Sequence, residues 1–109
     1  MTLAENDFLA LAETELQALE HALDHCNAEI DYELQPGGIL ELEFENGSKI
    51  IINRHAAARE IWVAAKSGGF HFRPIDGEWR DTRDQTELWY KLSCLCTEQA
   101  NIPILLKNT

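Results

Sequence analysis

The chain is 109 residues long, sets nineteen acidic against nine basic side chains for a formal charge of −10, and is 45% hydrophobic. That length fits a single domain, residues 1–109, and a domain of this size buries roughly two-thirds of its unfolded surface, enough for a core without staples. So negative a field repels phosphate backbones and anionic lipid, excluding nucleic acid and membranes as partners and leaving cations and basic protein patches.

The charge is also local. Residues 1–48 hold twelve Asp or Glu and no Lys or Arg, while residues 49–109 hold seven acids and nine bases. No stretch has the basic start and apolar run of a signal peptide, and none nears the roughly 20 apolar residues that span a bilayer, so a soluble cytoplasmic protein is expected. Among the three cysteines, Cys94 and Cys96 stand two apart on a predicted helix and point nearly oppositely, so they make neither a disulfide nor a metal clip. Cys26 and Cys96 fall on apolar faces as small hydrophobes.

Asn6 or Asp7 is a candidate cap for a first helix running to about Cys26, since Phe8, Ala12, Leu16, Leu19, Leu23 and Cys26 recur at helical spacing. Its opposite face carries Glu13, Gln17, Glu20 and Asp24, with His21 and His25 on the flank and no base among them. Such acids can only repel one another. Residues 29–34 alternate as a strand, with Ile30, Tyr32 and Leu34 inward and Glu29, Asp31 and Glu33 outward. Being first, it is expected at a sheet edge, where charge also guards against aggregation.

The turn Gln35–Gly38 feeds a hairpin, Leu40 to Arg54, around Asn46-Gly47. A two-residue turn there would mix apolar and polar on both faces. One extra residue, with Gly47 left-handed, puts Leu40, Leu42, Phe44, Ile50 and Ile52 together on one face. After a loop at His55–Arg59, the next strand, Glu60–Ala64, turns Ile61 and Val63 inward and leaves Trp62 exposed on the outer face beside Asn53 and Ile51, with Arg54 and His55 nearby. Ser67-Gly-Gly69 then turns into Phe70-His-Phe72 with both Phe inward, Asp76-Gly77 turns again, and Trp79 completes the core. Asp84 to Glu87 opens a second helix in capping-box style, with a stripe of Leu88, Leu92, Leu95, Cys96 and Gln99 and Trp89 at its margin. It ends near Asn101, and Ile104, Leu105 and Leu106 tuck back as an apolar plug. The expected fold is α+β: a two-layer α/β sandwich with the N- and C-terminal helices on one face of a five- to six-stranded antiparallel sheet.

The segments Phe44–Arg54, Ile61-Trp62, Lys66–Phe72 and Glu78-Trp79, in this order, resemble the frataxin family in its bacterial, CyaY-type branch. The resemblance covers nearly the whole chain and implies the same fold. It also implies weak iron binding, as Fe2+ or Fe3+, through an acidic ridge on the first helix and first strand, and a role in iron–sulfur cluster assembly. The ridge is further implied to dock on a basic patch of the cysteine desulfurase. The matching ridge positions are Glu20, Asp24, Glu29, Asp31 and Glu33. Of these, Glu20, Asp24, Asp31 and Glu33 would also meet the desulfurase, while Asn53 and Trp62 would touch the scaffold protein and desulfurase. Where relatives are usually acidic this chain has His21, His25 and Asn27, so the ridge is thinner and partly imidazole.

Carboxylate oxygen suits ferric iron, and ferrous iron also accepts imidazole. His21 and His25, four apart, are read either as solvated surface or as two metal donors completed by Glu20 or Asp24. Ridge sites with few protein donors bind weakly. No nucleophile with a base, no phosphate loop and no enclosed acid pair is present, so a non-enzymatic role is expected. The reading is an iron-binding regulator or iron supplier of cluster assembly, monomeric without metal and with iron-dependent oligomers open. The alternatives are a ferroxidase or iron-storage enzyme and an acidic adaptor with incidental metal binding.

Overall fold

The computed structural model describes residues 3–108, so the two extremes of the expected 1–109 unit lie outside the described residues. Helix α1 (Glu5–Asp24) precedes six strands, β1 (Ile30–Gln35), β2 (Ile39–Phe44), β3 (Lys49–His55), β4 (Glu60–Ala65), β5 (Gly68–Ile75) and β6 (Glu78–Asp81), and helix α2 (Leu88–Ala100) follows them. The strands lie side by side in chain order, each antiparallel to the next. β1 and β6 are therefore the edges.

The hairpin adopts the bulged register. Leu40 pairs with Ile52 and Leu42 with Ile50, while Gly47, at φ +85°, donates its N–H to Phe44 O at 2.9 Å. A side chain at that φ would strain the backbone. The inward faces of β2, β3, β4 and β5 bury Leu40, Leu42, Ile50, Ile52, Ile61, Val63 and Phe72, and both helices pack their apolar stripes on them. Each such side chain contributes about 1.5–3 kcal/mol by leaving water. Trp79 on β6 meets Phe8 of α1 edge-on, ring centroids 6.0 Å apart.

Several boundaries differ from the expectation. Phe8 donates its N–H to Ala4 O, so α1 begins at Glu5 with Ala4 as cap, and Asn6 and Asp7 lie in the first turn. Seating Phe8 under Trp79 requires a formed turn around it, and Glu5 and Asp7 complement the helix dipole there. α1 stops at Asp24, before Cys26. The cap of α2 is Glu87, whose carboxylate accepts from the N–H groups of Trp89 and Tyr90, while Asp84 turns the preceding loop by accepting from Thr86 N–H. Gly68 and Gly69 belong to β5, paired with Ala65 and Ala64, and the turn is Lys66-Ser67. Leu34, at the end of the edge strand, is 48% exposed because the helical cover stops short of it. Trp89 is buried rather than marginal, its indole N–H donating to Glu15 at 2.6 Å. In the tail Ile104 and Leu106 are buried but Leu105 is not, since the extended segment alternates. Ser93 and Thr97 hydroxyls bind its backbone and hold it on α2.

Candidate functional site

Alternation along β1 and β2 turns Asp31, Glu33, Glu41 and Glu43 onto the sheet face that no helix covers. Register then sets Asp31 opposite Glu43 and Glu33 opposite Glu41. Like charges directly across a ladder destabilise it. Glu29 precedes β1, and Glu20 and Asp24 sit in the last two turns of α1. Tyr32 on β1 joins the two parts by donating its hydroxyl to Asp24 Oδ1 at 2.7 Å. That bond, with some burial and the Asp24 and Glu20 charges, pushes the phenol up to about 12.

Among the described residues, none of Glu20, Asp24, Glu29, Asp31 and Glu33 is ion-paired; Lys49 reaches Glu41 at 3.7 Å and Arg59 reaches Glu5 at 3.9 Å. The structure thus brings the five ridge acids to one edge and leaves them unneutralised. It does not converge them. Among the described residues no three His, Cys, Asp or Glu side chains are grouped to hold one ion. A cation here would take one or two protein oxygens and keep its water.

His21 and His25 lie together on the flank of α1, ring centroids 4.4 Å apart and tilted by 34°. His25 Nδ1 sits 2.8 Å from His21 O, and a carbonyl only accepts, so the proton belongs on Nδ1 and the Nε2 lone pair is free. Both line an open cleft with Cys26, Asn27, Leu105 and Lys107. Lys107 opposes a cation there. Asn27 donates its amide to Pro103 O at 3.1 Å, so its task is to tie the tail to the end of α1.

A second assembly occupies the middle of the open face. Trp62 on β4 pairs with Asn53 on β3 and with His71 on β5. It is half-buried, not fully exposed, because His55 stacks on one side, centroids 3.8 Å apart at 14°, and His71 stacks at 4.4 Å and 10°. Glu60, two residues before Trp62 on the same face, accepts from Trp62 Nε1 and from Arg73 Nε, each at 2.7 Å. Burial pushes the Glu60 carboxyl up, but the bonds from Trp62 and Arg73 and the charges of Arg73 and His71 outweigh it and hold the group below the usual range. Beyond it Arg73 stands opposite Arg80, which pairs with Glu78. Sequence reasoning set His55 near Trp62 and His71 on the outer face, but missed Glu60 and Arg73 as partners of the ring. The signal was available, since period-two alternation puts Glu60, Trp62, His71 and Arg73 on one face.

Cys96 is enclosed in the core, and burial, with Cys26 nearby, pushes its thiol up to about 12, which leaves it unreactive. Among the described residues no helix is long and apolar enough to cross a membrane.

Residues 1–102 match the family model described as a Frataxin-like domain. The chain is 54% identical over 103 residues to the iron–sulfur cluster assembly protein CyaY of Dechloromonas aromatica, covering 94% of this chain and 98% of that protein. Its structure is similar to that of frataxin from Psychromonas ingrahamii, with TM-score 0.88 and 31% identity over 96% of this chain and 99% of that one. Trimeric yeast frataxin from Saccharomyces cerevisiae, complexed with ferrous iron, is similar at TM-score 0.55 and 28% identity, covering 92% and 88% of the two chains.

Proposed function

Because the chain belongs to the frataxin family, whose bacterial relatives are named for iron–sulfur cluster assembly, we propose that it is a cytoplasmic, non-enzymatic iron-binding protein that regulates that assembly or supplies its iron. The observation that carries this reading is the strip of Glu20, Asp24, Glu29, Asp31 and Glu33, unpaired by any described Lys or Arg. Fe2+ or Fe3+ binds there weakly, with oxygen donors from the strip, imidazole from His21 or His25, and water. A basic patch on the cysteine desulfurase meets Glu20, Asp24, Asp31 and Glu33 through the same field. Asn53 and Trp62 form a separate contact for the scaffold protein. Iron and the desulfurase therefore compete for one surface, and iron reports its own level by displacing or weakening the protein contact.

The lack of three converging donors among the described residues favours, as the second reading, an acidic adaptor whose metal binding is incidental. Desulfurase-driven cluster formation, followed with and without this protein across a range of ferrous iron, separates the two. The proposed reading expects an effect on rate that changes with iron. An effect indifferent to iron selects the adaptor, and no effect at all removes both.

A further inference from the structure

Glu60 lies on the uncovered face of the sheet and is nevertheless only 5% exposed. A carboxylate there would ordinarily stay hydrated, and burying one is costly unless its lone pairs are used. Here they are used by one aromatic neighbour and its surroundings: Oε1 accepts from Trp62 Nε1 and faces His71 Nδ1 at 3.5 Å, and Oε2 accepts from Arg73 Nε. The indole cannot rotate without breaking the bond to Glu60, and both of its faces are already occupied by His55 and His71. Three strands thus contribute to one braced row of rings.

We propose that Glu60 is the positioning residue of the Trp62 contact, holding the indole in the one orientation in which it can dock. This rests on the reading that the open face meets partners of the assembly machinery. A fixed indole spares the ordering cost that a mobile one would incur on docking. The partner cannot clasp the indole between its own side chains, since the ring faces are filled; it meets a rigid row of ring edges.

The test uses Glu60→Ala, Glu60→Gln and Trp62→Ala in the full chain, with thermal melting to establish folding. Trp79 and Trp89 are buried, so acrylamide quenching of the fluorescence reports chiefly on Trp62. Glu60→Ala should make Trp62 more quenchable and weaken binding to purified scaffold protein by about tenfold, the scale of one charge-assisted hydrogen bond. Glu60→Gln keeps an acceptor for Nε1 and should restore both. If Glu60→Ala binds like the parent while Trp62→Ala does not, positioning is wrong. If Trp62→Ala itself binds like the parent, the docking reading is the part that fails, and unchanged quenching in Glu60→Ala overturns the positioning separately. Should Glu60→Ala not fold, Trp62→Phe, which removes only the donor end of the ring system, must lose several-fold in affinity, and parent-like binding overturns the proposal.

Discussion

At the β1–β2 edge Asp31 stands opposite Glu43 and Glu33 opposite Glu41, whereas across β5 and β6 Arg73 stands opposite Arg80. Both edges place like charges face to face, yet the basic side is paired off, Arg73 with Glu60 and Arg80 with Glu78. Glu33 and Asp31 have no such ion pairs among the described residues. In the proposed function the acidic end therefore acts at a distance, through a field that any salt weakens. The aromatic and basic end acts by contact, through groups held in place. One sheet face can serve two partners without confusing them.

Four changes of decreasing size test that division, and a fifth refines it. Phe8→Ala empties a fully buried core position against Trp79 and should cost about 3–5 kcal/mol in a denaturant titration. Both binding activities should weaken together as the folded fraction falls, and loss of only one would mean that the two ends do not unfold as one unit. Next, reversing Asp24, Asp31 and Glu33 to Lys should lower desulfurase affinity by about tenfold or more at low salt, with the gap closing as salt rises. Ferrous binding should fall with it, while scaffold binding holds. If only the desulfurase contact suffers, the adaptor reading prevails.

Replacing His21 and His25 by Ala should reduce ferrous affinity several-fold and ferric affinity less, read by spectroscopic titration; equal affinities before and after would reduce the pair to solvated surface. Relieving repulsion is a smaller effect of opposite sign. Asp31→Asn should raise stability by about a few tenths of a kcal/mol while weakening the field, and a lower melting temperature would show that the opposed acids do not repel.

The finest test is acidification. The Glu60 carboxyl is held below its unfolded value of 4.5, so its contribution is complete above that value and is lost as pH falls through the folded one. Glu15 is shifted the other way, raised by burial against the lowering bond from Trp89 and with Glu87 adding to the rise. Its protonation favours the folded chain as pH falls. Glu60→Gln should therefore lose less stability on acidification than the parent, and Glu15→Gln more; the reverse ranking would contradict both assignments.

The hairpin was readable because only one register collects Leu40, Leu42, Phe44, Ile50 and Ile52 on a single face. Edge position and acid clustering on β1 followed from order and alternation in the same way. Helix starts were less readable. Asp84 and Asn6 are good cap formers, but the rings of Phe8 and Trp89 needed burial, and their places in the core set where each helix begins. For the brace around Trp62, alternation named the face and put His55 nearby, but which side chains stack on the ring and that Glu60 bonds both Trp62 and Arg73 depend on the cross-strand register, which one strand's pattern does not give. Trp62 was expected bare and is clothed on both faces.

The strand order has a consequence for how the molecule is made. A sheet that runs in reading order can zip up hairpin by hairpin as the chain leaves the ribosome, each step closing only a short loop. Its apolar side stays half bare until Leu88–Ala100 arrives as the final lid. A chain cut short before that helix would carry a finished sheet with a sticky surface, and should be the species that chaperones hold and proteases remove.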